Sequence, residues 1–101
     1  MNKRIITLDG NNFSDLAGFY DEVENVLTKD LTWTTGRNFN AFNDLLRGGF
    51  GVHEPGEQIM LVWKNSAKSK ADLNIPCDGT TVYHVLTDFI KAHWFIEFAE
   101  R

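Results

Sequence analysis

Hydrophobic and polar positions separate most clearly between residues 36 and 49, in the run GRNFNAFNDLLRGG. Both sets recur at steps of three and four residues, which places them on opposite sides of a helix. The apolar set is Phe39, Phe42, Leu45 and Leu46, and the polar set is Asn40, Asn43, Asp44 and Arg47. Asn38 stands where an N-cap is expected, and Gly48 stands where a helix ends. The pattern predicts a short helix with one buried face and one polar face.

The polar face of this predicted helix has an unusual composition. Exposed helical positions ordinarily favour Glu and Lys, but here amides surround a single carboxylate, Asp44. Asn and Asp are poor helix formers in mid-helix, because their side chains compete for backbone hydrogen bonds. A simple solvated face is the alternative interpretation. The repeated use of amides on one side favours a binding role.

Three stretches are predicted to be β-strands. Arg4 to Leu8 is a short apolar run that ends at the turn signal of residues 9–12. Gln58 to Trp63 is almost continuously apolar, which is typical of a central parallel strand buried on both faces. Trp94 to Phe98 is aromatic and β-branched. We interpret it as a third strand, with continuation of the preceding helix as the alternative.

Three further helices are predicted. The first follows Ser14 as its N-cap, the second is a short polar helix that is capped by Ser66 and runs through Ala71, and the last is capped by Thr80 or Asp78. The buried face predicted for the last helix is Val82, Val85, Leu86, Phe89 and Ile90, and its outward residues are His84, Asp88 and Lys91.

The remaining segments, residues 31–35, 50–57 and 74–79, are interpreted as loops, the second of them exposed. Trp33 in the first loop is interpreted as a core residue. The element order is then β-α-α-β-α-α-β. It predicts a single α/β domain over residues 1–101, with a three-stranded parallel sheet packed by about four helices.

Composition narrows the function classes. The chain has 101 residues and a formal net charge of −4, and its lysines and arginines form no cluster. Direct nucleic-acid binding is therefore disfavoured, whereas a basic protein partner would be attracted. No apolar run has the length of a membrane span, and the N-terminal residues lack the apolar core of a signal peptide. We expect a soluble, cytoplasmic, monomeric protein.

The sequence offers only weak candidates for a catalytic, metal or cofactor site. Cys77 is the single cysteine, and the three histidines have no spacing that would bring two onto one helical face, so we expect no disulfide and no metal. No glycine-rich nucleotide motif is present, so we expect no cofactor. The acidic run Asp21, Glu22 and Glu24 is interpreted as a solvated face. An enzyme that uses a carboxylate pair or Cys77 is the less economical hypothesis.

The run from Gly36 to Gly49 resembles the central segment of the barstar family, the intracellular inhibitors of the ribonuclease barnase. The shared positions are Gly36, Asn38, Ala41, Asp44, Leu46 and Gly48, with apolar residues at 39 and 42. Weaker similarities continue in the same element order over nearly the whole chain. The resemblance implies a three-stranded parallel sheet with helices, as the residue pattern does. It also implies that this helix and the loop before it plug a ribonuclease active site.

Carried over by position, the resemblance makes Asp44 the principal acidic anchor, with a carboxylate that stands in for substrate phosphate. The neighbouring contact positions are Thr34, Asn38, Asn43 and Gly48. The chain also departs from the family pattern, because Asn40 and Lys91 stand at acidic contact positions and Arg47 at a threonine position. The aromatic contacts are replaced by Thr34 and Asn43. The added cations favour a partner other than barnase.

The leading hypothesis is therefore an inhibitor or immunity protein that binds a ribonuclease or nuclease toxin through these positions. A barstar-like interaction module with a non-nuclease partner is the alternative, favoured by Arg47 and Lys91.

Overall fold

The structure, a computed structural model, describes residues 3–30 and 36–101. Its strands and helices are β1 (Arg4–Asp9), α1 (Leu16–Leu27), α2 (Phe39–Arg47), β2 (Ile59–Lys64), α3 (Ser66–Asp72), β3 (Pro76–Cys77), β4 (Thr80–Thr81), α4 (Val82–Lys91) and β5 (Ile96–Glu100). A single 3₁₀ turn, Gly10–Asn12, follows β1. The predicted segment 31–35, with Trp33 and Thr34, lies outside the described residues.

The main sheet has three parallel strands in the order β1-β2-β5. Leu61 of β2 lies opposite Ile6 of β1 on one side and Phe98 of β5 on the other. Leu61, Val62 and Trp63 are all buried, as the continuous apolarity of this strand predicts. The predicted fold class, an α/β domain with a three-stranded parallel sheet and four helices, is confirmed.

Aromatic side chains join the sheet to α1 and, through α1, to α2, which carries the polar face. Trp63 stacks on Phe19 of α1 at a centroid distance of 5.4 Å, and Phe19 meets Phe42 of α2 edge to face at 5.3 Å. The Trp63 indole N–H donates to the buried Ser69 hydroxyl at 2.9 Å, which satisfies its one polar atom. These contacts fix α2 against the core through its apolar side.

Outside α2, the predicted N-caps lie one to three residues from the observed ones. Asp15, and not Ser14, is the N-cap of α1, and its carboxylate accepts from the Gly18 N–H at 2.7 Å. Thr81 caps α4, where Thr80 or Asp78 is predicted. The α3 cap position is Asn65, in a left-handed conformation, so the prediction of Ser66 is also wrong. Neighbouring Ser, Thr, Asn and Asp are chemically equivalent caps, and backbone geometry chooses among them.

Two chain segments also differ from their predicted states. Residues 74–79, interpreted as a loop, contribute to the antiparallel pair β3-β4, which turns through Asp78 and Gly79 at positive φ. The third strand begins at Ile96, two residues later than predicted, and the preceding helix ends at Lys91. The helical alternative for this stretch is therefore wrong, and Trp94 lies in the intervening turn.

The prediction of a solvated acidic face on α1 is wrong for Glu22. This side chain is 6% exposed, and its carboxylate accepts from the Asp9 N–H at 2.9 Å and from the Asn12 side-chain amide at 3.2 Å. Glu22 therefore closes the turn after β1 onto α1. A buried carboxylate with these donors is a structural group.

Candidate partner-binding site

The N-terminus of α2 is held by a cap and by ion pairs. The Asn38 side-chain oxygen accepts from the Ala41 N–H at 2.8 Å, as predicted for an N-cap. Arg37, just before it, donates to Glu24 at 2.9 Å and to Asp21 at 2.5 Å, both on α1. These two carboxylates raise the pKa of Arg37. The start of α2 is thus attached to the surface of α1.

The C-terminus of α2 is held by the loop that follows it. His53 is 3% exposed, and its Nε2 donates to the Leu46 carbonyl at 3.0 Å. The Gly49 N–H returns a bond to the His53 carbonyl at 2.7 Å, and the Gly56 N–H donates to the Arg47 carbonyl at 3.2 Å. The prediction of a wholly exposed loop over residues 50–57 is therefore wrong at His53. The loop satisfies carbonyls that a helix end otherwise leaves unpaired.

Between these two ends, α2 presents the predicted polar side chains. Asn40, Asp44 and Arg47 are exposed, while Phe42, Leu45 and Leu46 are buried beneath them. Arg47 donates to the Asp44 carboxylate at 2.7 Å, across one turn of the helix. The side chains remain 60% and 58% exposed in this ion pair. The face therefore displays a negative and a positive charge side by side.

Asn43, the fourth residue of the polar face, connects α2 to the other end of the chain. Its side-chain oxygen accepts from His93 Nε2 at 2.7 Å. His93 lies in the turn between α4 and β5, and both its burial and the nearby Arg47 charge lower its pKa. Sequence reasoning missed this contact, because residues 43 and 93 are 50 positions apart. Trp94, the next residue, is 80% exposed.

A family model described as barstar (barnase inhibitor) matches residues 3–98. The chain belongs to the barstar family. The match covers both the sheet and the α2 segment, so the predicted resemblance is confirmed at the level of family and fold. A search of curated proteins gives no significant match to the chain. The family is described as an inhibitor of barnase. At the level of the family, the partner is therefore a ribonuclease-type protein and the role is not enzymatic.

Two predicted site residues of this barstar-family chain, Thr34 and Lys91, are not among the described side chains of α2. Thr34 is outside the described residues. Lys91 is exposed on α4, where it lines a cavity of about 310 Å³. The other residues that line this cavity are Ser66, Ala67, Lys70, Tyr83, His84, Thr87 and Glu100. The structure therefore brings together Asn40, Asn43, Asp44 and Arg47 between the two ends of α2. It places Lys91 on α4, where this side chain lines the cavity.

Two of the side chains that line the cavity, Tyr83 and Glu100, are paired with each other. The Tyr83 hydroxyl donates to Glu100 at 2.6 Å, and burial together with this carboxylate raises the pKa of Tyr83. Both side chains are therefore engaged with each other. The described residues contain no group of three His, Cys, Asp or Glu side chains that could hold a metal ion. Among the described helices, none combines the length and apolarity needed to cross a membrane.

Proposed function

We propose that this barstar-family chain is an inhibitor or immunity protein that binds a ribonuclease or nuclease-toxin domain and occludes its active site with α2. The observation that carries the proposal is the exposed Asp44 carboxylate on a helix fixed at both ends. Ribonuclease active sites hold phosphate with Arg, Lys and His side chains. A carboxylate positioned by a rigid helix can take the place of that phosphate with charge-assisted hydrogen bonds.

The proposed contact residues are those that share the exposed side and the ends of α2. They are Asn38, Asn40, Asn43, Asp44 and Arg47, with Thr34 added from the family resemblance, while the predicted contact Gly48 is buried at the helix end. Lys91 is not included, because it lines the separate cavity. Rigid placement limits the side-chain and backbone ordering that binding would otherwise require. The net charge of −4 would also increase the association rate with a basic nuclease.

The ion pair between Asp44 and Arg47 narrows the chemistry of the partner. In a purely basic active site the Arg47 guanidinium would be repelled, and its pairing to Asp44 would weaken the anion. A partner surface that sets one carboxylate next to its cations would pair with both residues. We therefore propose a nuclease whose active-site rim carries an acidic residue beside its basic ones. One monomer would cover one such site in the cytoplasm.

The test compares wild-type protein with Asp44→Ala in two assays. The first is retention of nucleases from a lysate of the source cells, and the second is inhibition of the ribonuclease activity of whatever is retained. We expect Asp44→Ala to weaken binding by roughly 100-fold or more, as for a desolvated charged anchor. Asp88→Ala, which removes an exposed carboxylate from α4, is the matched control and should bind as wild type does.

Equal binding and inhibition by wild type and Asp44→Ala would refute the proposed role of α2. The second candidate function is a protein-interaction module with a non-nuclease partner, which Arg47 favours because it offsets the Asp44 charge. That candidate is supported if the wild type retains a protein through Asp44 and the retained protein has no nuclease activity.

A further inference from the structure

The exposed face of α2 lacks a large aromatic side chain of the kind on which protein interfaces are usually centred. Its exposed residues are amides and charges, and its apolar side chains are turned into the core. Stable interfaces are centred on a few large side chains, with Trp, Tyr and Arg most frequent, that lose contact with water on binding. Asn40, Asp44 and Arg47 supply polar and charged contacts on this face, but none of them is a large aromatic side chain.

Trp94 is placed to supply it. In the described part of the chain, the large apolar side chains that are exposed are Ile5, Ile75 and Trp94. Ile5 is on the edge strand β1, and Ile75 precedes β3. Trp94 directly follows His93, whose ring donates to Asn43 on the polar side of α2 at 2.7 Å. This hydrogen bond joins the α4–β5 turn to the polar side of α2.

The local geometry explains how the indole is displayed. Residues 93 and 95 are anchored inward, since His93 bonds α2 and Phe95 is 9% exposed. The Trp94 and Phe95 rings meet at 89° with centroids 5.8 Å apart, so they are not stacked. The anchored neighbours direct residue 94 outward, but they do not require it to be tryptophan. A polar residue would satisfy the turn without exposing a large apolar surface to water.

We propose that Trp94 is a specificity-determining residue of the partner interface and that it receives a Lys or Arg side chain of the bound nuclease on its indole face. This inference rests on the proposed function. A cation over an indole is attracted by the ring quadrupole, and the attraction strengthens when water is excluded. The nuclease would then meet two recognition points, a carboxylate on α2 and an aromatic face on the adjoining turn.

The test uses three substitutions at Trp94 that separate its properties. Trp94→Ala removes the side chain, Trp94→Leu keeps an apolar group without a π face, and Trp94→Phe keeps a π face. Because the side chain is 80% exposed, all three variants should unfold at the wild-type temperature. Ile5→Ala, which removes an apolar side chain that is 64% exposed on β1, is the matched control.

The probe is the nuclease that wild-type protein retains from the source-cell lysate, purified, with purified barnase measured alongside. We expect Trp94→Ala and Trp94→Leu to raise the dissociation constant about tenfold, while Trp94→Phe stays within about threefold of wild type. Ile5→Ala should change nothing.

Three outcomes would overturn the inference. Wild-type affinity in Trp94→Ala, with binding lost in Asp44→Ala, removes the role of Trp94 and leaves the proposed function intact. Wild-type affinity in Trp94→Leu would show that binding does not depend on a cation over the indole, because an apolar contact would then suffice. Failure of the wild type to bind any nuclease overturns this inference together with the proposed function.

Discussion

Gly48 shows how one residue determines where the candidate site ends. Its φ of +95° lies in the region that side chains other than glycine rarely adopt. A Cβ built on it would lie 2.5 Å from the Glu54 carbonyl oxygen, so space as well as conformation requires glycine. The turn at Gly48 is what lets the following loop return to the Leu46 and Arg47 carbonyls.

The first prediction at this scale concerns Gly48→Ala. We expect the free energy of unfolding to fall by about 2–3 kcal/mol, because the substitution combines positive φ with a backbone clash. The matched control is Gly56→Ala, which has φ +73° but no atom within 4 Å of the added Cβ. That control should cost about 1 kcal/mol. Chemical denaturation of both variants measures the difference, and equal losses would show that the contact with Glu54 is unimportant.

Single residues were also the least predictable features of the sequence. Glu22 carries the same charge as its neighbours Asp21 and Glu24, yet it is the one turned into the protein to accept bonds from residues 9 and 12. Nothing in a local run of acidic residues distinguishes the buried member. The choice depends on where β1 ends relative to α1, which is a property of the tertiary fold.

At the scale of elements, α2 is a nine-residue helix, shorter than an isolated helix needs to be for stability in water. Its order therefore comes from its apolar side and from its two fixed ends. The sequence predicted this helix well, with its cap, its stop and both faces, because all of these depend on spacing within about ten residues. The connections from Asn43 to His93 and from Leu46 to His53 depend on chain folding, and the pattern could not show them.

The N-cap gives a prediction for this element. Asn38→Ala should lower the free energy of unfolding by about 1 kcal/mol, because the Ala41 N–H loses its acceptor. It should also weaken partner binding, since the first turn of α2 would fray. Asn40→Ala, two positions along and exposed, is the control for stability and should change it by less than about 0.5 kcal/mol. Thermal and chemical unfolding compare the pair, and equal destabilisation would contradict the capping role.

The contact of His93 with Asn43 and Arg47 of α2 predicts that the stability of the folded protein depends on pH. Burial and the Arg47 charge lower the pKa of His93 in the folded protein, so the unfolded chain binds the proton at higher pH. Stability must then fall as pH decreases through the ordinary histidine pKa of about 6.5 towards the lower folded value. His93→Gln, which keeps a side-chain donor for Asn43, should remove this part of the slope.

Denaturant titrations between about pH 7 and 5 test the expectation, in a range above the ordinary pKa values of the carboxylates. The difference between wild type and His93→Gln isolates His93 from the other histidines. A slope that is the same in both proteins would show that the His93 proton does not contribute.

At the scale of the whole molecule, the fold class was the most predictable property. Continuous apolarity in β2 required cover on both faces, and the alternation of strand and helix patterns required parallel connections. The hairpin of β3 and β4 was not predictable, because two-residue strands are too short to show any period. Nor was the position of Lys91 beside the α3–α4 cavity, since position along α4 does not by itself identify the neighbour it faces.

The strand order also has a consequence for synthesis. β2, the middle strand, acquires its second neighbour only when residues 96–100 are present, and the same residues follow the His93 contact that α2 needs. A nascent chain that has exposed α2 but not β5 therefore carries α2 on an unfinished sheet with an open edge. The ribosome would have to release residues 96–100 before β2 could gain this neighbour. A partner that binds α2 would thus find its complete surface only on chains that have been translated at least as far as β5.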